Sequence, residues 1–429
     1  ILMTDIPPME SSPTLSTDFT VGSALLGLFG GLILAFTASL HLLLRGRITG
    51  ISGIVQALST LSLAPAKRQW RLGFLAGMVL ASVALSVAWP ARYAADALDP
   101  QPPIALLAGA LVGAGTKLGS GCTSGHGVCG LPRLAVRSLV AVATFFTVGV
   151  VVATLIGAAG ARDALVRPVQ PGPYGRLLAL GAGVCLAGAC ALLSRRPART
   201  SSGAALVHKD VEEGGGGQGH WNDVLSTPTF DALLSTLLGA MFALGLTTAA
   251  MQQPSRVLGF LDASPLLGLR TSGAGWDGTL AFVLGGAVGL NLFTFRAILR
   301  RTQGPVYAVA FELPTATHVT RELVTGSAIF GAGWGLSGLC PGPALCALGA
   351  GKPYALFFVA AMLLGQAGAE RATQPPSHGH APTATGLPPA RETQAAQRPP
   401  AAPGGGGVAM DVGSAGPPPV SSVAPIAPA

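Results

Sequence analysis

Residues 113–122 read GAGTKLGSGC and residues 331–340 read GAGWGLSGLC. A constant offset of 218 (331 − 113) pairs Gly113 with Gly331, Leu118 with Leu336 and Cys122 with Cys340. A second match sets RITG at 47–50 against RVLG at 256–259, with an offset of 209, and pairs Arg47 with Arg256 and Gly50 with Gly259. Two matches in the same order mark an internal repeat, and offsets nine residues apart are what loop-length variation produces. The first copy continues as GSGCTSGHGVCG (119–130), with five glycines in twelve residues. The second continues as SGLCPGPALC (337–346), where Pro341 and Pro343 stop one helix and start another.

Working outward, an apolar segment of about 20 residues crosses the hydrocarbon core. Nine candidates result: Val21–Leu44, Leu72–Trp89, Ile104–Leu118, Ser138–Gly160, Arg176–Leu193, Phe230–Ala250, Gly278–Leu299, Leu323–Leu339 and Tyr354–Ala367. The third and eighth are short and run directly into the two Gly-rich stretches. Such stretches leave backbone groups unsatisfied in lipid, so they are tolerated only when buried in protein or lining a cavity. Five spans in the first copy, an odd number, turn the second copy upside down, and interrupted helices paired in this way point to a transport site at the repeat interface.

Composition agrees. Of 429 residues only 10% are charged and 50% are hydrophobic, with 60 glycines and 6% aromatics. Soluble domains carry about 25% charged residues, so this chain has too little charge to cover a water-facing surface. Small residues at helix contacts fit membrane packing. The expected fold is all-α, a polytopic membrane protein of about nine spans with short re-entrant helices and two inverted repeats. The expected organisation is a polar tail (1–19), a first repeat (20–195), a Gly-rich flexible linker (196–228), a second repeat (229–369) and a Pro/Ala/Gly-rich disordered tail (370–429). Arg45, Arg47, Lys67, Arg68 and Arg71, the linker cations, and Arg296, Arg300 and Arg301 fall on one side. The positive-inside rule makes that side cytoplasmic, with the amino terminus outside and the carboxyl terminus inside.

Cys122 and Cys340 stand at the two interruptions. Ser120, Thr123 and Ser124 supply donors beside Cys122, together with N–H groups freed at a helix end, a set suited to an anion. Lys117, one turn away, is a costly charge in an apolar helix, either attracting an anion or snorkelling to the surface. His126 reads as a local hydrogen-bonding residue or a substrate contact, and Arg47 and Arg256 as vestibule residues or surface anchors. Cys122, His126 and Cys129 have ligand-like spacing but lack a fourth ligand, so no metal is expected. Disulfides Cys122–Cys129 and Cys340–Cys346 are further alternatives, while plain packing suits Cys129 and Cys346 best. No GxxxxGK[ST] stretch occurs, so nucleotide-driven transport by this chain is not expected.

GRITGISGI (46–54) and GSGCTSGHGVCGL (119–131) resemble signatures of one half-size member of the YeeE/YedE sulfur-transport family. QPSRVLGFLD (253–262), WDGTLAFVLGGA (276–287) and FGAGWGLSGLCPGPAL (330–345) resemble those of its companion half. The resemblance covers about residues 20–195 and 228–368 and implies a fusion of two halves. It implies an hourglass-shaped transporter, not an enzyme, that takes up thiosulfate or a related sulfur anion. Cysteine thiols at its constriction would pass the anion along by S–H hydrogen bonds, and Cys122 and Cys340 match the two central family cysteines. Some members carry another cysteine in the amino-terminal re-entrant region, and residues 45–60 here contain none. The implied partners are a thiosulfate-like anion, the lipid bilayer and a soluble sulfurtransferase, with no nucleic acid and no cofactor. The alternatives are a membrane thiol-redox or sulfurtransferase protein, or transport of another sulfur or selenium species.

Overall fold

A computed structural model describes residues 19–59, 64–166, 173–194, 227–270 and 275–373, all within one compact unit. The expected tails and linker lie almost wholly outside these residues. The long helices are α1 (Val21–Arg45), α3 (Pro65–Ala88), α4 (Pro102–Leu118), α5 (Val136–Ala158) and α6 (Pro173–Ser194) in the first half. The second half has α7 (Pro228–Thr248), α9 (Thr279–Arg301), α10 (Arg321–Ser337) and α12 (Pro353–Thr373). Short helices of eight or nine residues interleave with them: α2 (Ile51–Ser59), π1 (Thr123–Gly130), α8 (Pro254–Leu261) and α11 (Pro341–Gly349).

The helix ends follow local chemistry. Thr20 and Ser23 form a reciprocal capping box at the start of α1, and Gly46, at φ 66°, ends it. Proline opens α3, α4, α7, α8 and α11, where its missing N–H costs nothing. Among the described residues seven helices are long and apolar enough to cross a membrane, or eight when the bent pair α4–π1 is one span. The remaining expected segment, Arg176–Leu193, forms α6. Both α4 and α10 have 17 residues, about 25 Å of helix, short of the roughly 30 Å hydrocarbon core. Each is completed by a short second helix, with a 48° bend between α4 and the π1 region.

The element order repeats, α1 to α5 with π1 against α7 to α12. Helices that are each other's counterparts cross antiparallel: Gly30 of α1 meets Ala249 while Arg45 meets Asp231, and Gly333 of α10 meets Ala108 while Gly326 meets Gly119. Two seams between non-equivalent helices of opposite halves are parallel. On α4 and α12, Gly109 meets Phe358 and Lys117 meets Glu370; on α10 and α5, Gly331 meets Phe145 and Gly335 meets Gly149. Only a two-fold axis lying across the spans produces this pattern, so the second copy is inverted.

The motif glycines explain themselves here. A Cβ on Gly113 would stand 2.1 Å from the Met362 carbonyl, and one on its counterpart Gly331 would stand 2.5 Å from that of Phe145. The quoted GAG stretches are therefore the places where two backbones touch, once in each copy.

Candidate functional site

Cys122 and Cys340 each precede the short helix that completes a broken span, in extended backbone at φ −130° and φ −119°. Two residues upstream, Ser120 (φ 58°) and Gly338 (φ 68°) make the same left-handed turn. The local fold thus puts two thiols at equivalent points of the two copies. Thr123 Oγ1 donates to Cys340 Sγ at 3.4 Å, which joins the residue after Cys122 to the opposite cysteine.

A third element closes on them. Ile51 N–H at the start of α2 donates to Ser124 Oγ at 3.0 Å, and Ser52 N–H donates to Cys122 Sγ at 3.4 Å. Cys122 Sγ is also 3.2 Å from Ser124 Oγ. The first N–H groups of α2, which no helical carbonyl can satisfy, are thus met by the π1 segment.

This contact partitions two cavities. One, a chamber of about 100 Å³, is lined by Cys122, Thr123, Ser124 and Cys340 with apolar side chains such as Leu34, Phe145, Phe146 and Trp334. Among the described residues none of its lining side chains is charged. The other, a vestibule of about 580 Å³, holds Ser52, His126 and Ser138 with Arg47, Arg71, Arg133 and Arg137 against a single acidic residue, Glu312. Gly50, Gly121 and Gly125 face the vestibule, so the partition is little more than bare backbone there.

The family described as Sulphur transport matches residues 13–152, and the family of unknown function DUF6691 matches residues 230–373. A protein of Xylella fastidiosa (strain Temecula1) named Probable transporter is 43% identical over 140 residues, 33% of this chain and 87% of its own length. A second Probable transporter of the same strain is 39% identical over 130 residues, 30% of this chain and 93% of its own length. One from strain 9a5c is 44% identical over 127 residues, 30% of this chain and 81% of its own.

The chain belongs to the YeeE/YedE sulfur-transport family.

It is a two-part YeeE/YedE protein and a multi-pass membrane transporter. Of the residues singled out in the sequence, Cys122, Thr123, Ser124 and Cys340 share the chamber, while Ser120, His126 and Arg47 line the vestibule. His126 is held on both ring nitrogens, by Ser138 Oγ at 3.1 Å and by the Gly119 carbonyl at 3.0 Å, which fits the local hydrogen-bonding reading. Lys117 is in neither cavity. Its ammonium pairs with Glu370 at 3.2 Å on the end of α12, so the ion pair stands where an anion-attracting role was one expectation.

Arg256 also lies apart, paired with Asp277 at 2.8 Å. It is not the counterpart of Arg47. Helices α2 and α8 start at Ile51 and Pro254, an offset of 203, so Arg256 falls inside its helix at the level of Gly53 while Arg47 precedes the other. Arg47 is bound to the Asp231 carboxylate, 2.9 and 3.0 Å, which also takes Arg45 at 2.8 Å.

Cys122, Cys129, Cys340 and Cys346 are free thiols, which removes the disulfide alternatives. Cys129 is buried, with its Sγ 3.7 Å from the Thr49 carbonyl. Sequence reasoning missed Arg133, Arg137, Ser138 and Ser52. Arg137 donates to Ser120 Oγ at 3.3 Å and to the His318 carbonyl at 2.7 Å. The sequence did hold a signal: LPRLAVRS (131–138) follows the Gly-rich motif without a break.

Proposed function

We propose that the protein takes up thiosulfate or a related sulfur-containing anion, with Cys122 and Cys340 as the constriction. The observation that carries this reading is that the two thiols, 218 residues apart, line one chamber immediately behind a vestibule with four arginines. Arginines focus anions into a cleft, and weak thiol donors in a narrow neck bind an ion without trapping it. The arginine-lined end carries the excess of cations, so it is assigned to the cytoplasm, where a soluble sulfurtransferase would meet the substrate.

The test is uptake of labelled thiosulfate by cells that require it, with the chain, with Cys122→Ala and with Cys340→Ala. Each variant is expected to lose at least tenfold in rate at equal membrane expression. Full uptake by both variants overturns the role of the thiols, and absence of uptake by the parent chain overturns the substrate. A panel with sulfite and selenium oxyanions as competitors ranks the remaining anions.

A further inference from the structure

We infer that the indole N–H of Trp334 is a substrate contact, donating a hydrogen bond to an oxygen of the sulfur oxyanion while that anion occupies the chamber. The inference rests on the uptake reading above and adds a binding residue to the same site. In the direction of uptake the chamber comes before the cytoplasmic vestibule, so the anion meets the chamber walls before it reaches the arginines. Among the described residues those walls carry no charged side chain, so neutral donors must replace the water that the anion gives up.

Several polar side chains of the chamber are already engaged. Thr123 Oγ1 donates to Cys340 Sγ, while Ser124 Oγ accepts from Ile51 N–H and stands 3.2 Å from Cys122 Sγ. Trp334 is different. It is 2% exposed and forms part of the chamber wall, yet its Nε1 has no hydrogen-bond partner. Among the described residues no other side-chain nitrogen or oxygen of that wall is buried without one.

A buried indole N–H ordinarily finds an acceptor. Trp276 does so here, donating to the Phe260 carbonyl at 2.8 Å. The Trp334 ring has no freedom to turn toward one: it stacks on Phe330 at 6.2 Å and meets Phe145 and Phe146 edge-on at 5.8 and 5.2 Å. A Cβ on Gly149 would stand 3.2 Å from Trp334 Cε3, which sets the benzene edge against α5. Cε3 and Nε1 lie on opposite edges of an indole, so the N–H edge is turned away from the Gly149 backbone. The equivalent position of the other copy, Thr116 (334 − 218), is satisfied internally: its hydroxyl donates to the Gly113 carbonyl at 3.0 Å and accepts from Gln366 Nε2 at 3.4 Å. The open donor thus belongs to one copy, in the same wall as Cys340. An anionic oxygen is the strongest acceptor such a fixed, desolvated donor can meet, and the N–H is a better donor than the weak thiols beside it.

The experiment uses the full chain in detergent, isotope-labelled at its indole nitrogens. Titration with thiosulfate, against a chloride titration at matched ionic strength, is expected to move the Trp334 N–H proton resonance downfield and saturably, while that of Trp276 stays in place. The resonance is assigned with Trp334→Phe or, should that variant not fold, by elimination with Trp70, Trp89, Trp221 and Trp276 each replaced by Phe in turn. In proteoliposomes Trp334→Phe, which keeps an aromatic ring and removes the N–H, should raise the KM for thiosulfate about tenfold with the maximal rate within about twofold. An unmoved Trp334 resonance, or a KM raised less than about threefold, overturns the contact and leaves the uptake reading standing as long as the parent chain transports thiosulfate. Absence of uptake by the parent overturns the uptake reading itself.

Discussion

The backbone N–H of Ser52 donates to Cys122 Sγ across 3.4 Å. Its counterpart by position is Ser255, again the second residue of the short helix, and there the symmetry breaks: Ser255 N–H and Oγ both donate to Asp96, at 3.0 and 2.8 Å. The Asp96 loop is anchored in turn by a buried ion pair between Asp99 and Lys352 at 2.7 Å. One copy of the motif thus opens on a vestibule, while the other is tied to a carboxylate.

Asp96→Ala is expected to destabilise the protein by about 1–3 kcal/mol, because it leaves the buried Ser255 donors without an acceptor. A thermal melt in detergent checks this. An unchanged melt would show that water replaces the carboxylate at no cost.

Asp231→Ala leaves Arg45 and Arg47 facing each other with their shared carboxylate gone. Breaking a buried pair from one side costs about 3–5 kcal/mol. The expected outcome is a melt lowered well beyond that of Asp96→Ala, with Asp231→Asn intermediate.

Gly113→Ala and Gly331→Ala each drive a methyl into a facing carbonyl and should cost about 1–3 kcal/mol apiece. Gly181→Ala, in α6 with nothing within 4 Å of the added carbon, is the matched control and should be neutral or slightly stabilising. Equal effects at all three positions would contradict the packing account.

Arg137→Gln should raise the KM for the anion about tenfold, roughly 1.4 kcal/mol, with little change in maximal rate. The difference from the parent should shrink as salt rises. Lys117→Gln, at the partly exposed Glu370 pair, should leave both constants within twofold. Uptake rates across a salt series separate the two.

Much of this was legible in the sequence because the decisive contacts are made by residue types with narrow uses. Gly113 and Gly331 announce close helix approach, and Pro341 announces a restart. The Cys122/Cys340 offset carries over to backbone conformation at the same positions. The pairing of Arg47 with Arg256 failed because a four-residue match carries little information, and helix starts, not side-chain identity, fix the register in a loop. Asp231 as the partner of Arg45 and Arg47, and Glu370 as that of Lys117, were invisible for another reason: both depend on which ends of non-adjacent helices meet. Arg133 and Arg137 read as ordinary loop cations until the fold placed them in one vestibule with Arg47 and Arg71.

The seams α1–α7, α1–α9, α3–α7, α4–α10, α4–α12 and α5–α10 all join one half of the chain to the other. With α3–α6 as the one large seam inside a half, most helix packing is made between the halves, so each half is expected to behave as a subunit that needs the other. Two separately translated fragments, divided between α6 and α7, should find each other and reconstitute every one of these seams, while either fragment alone should be degraded.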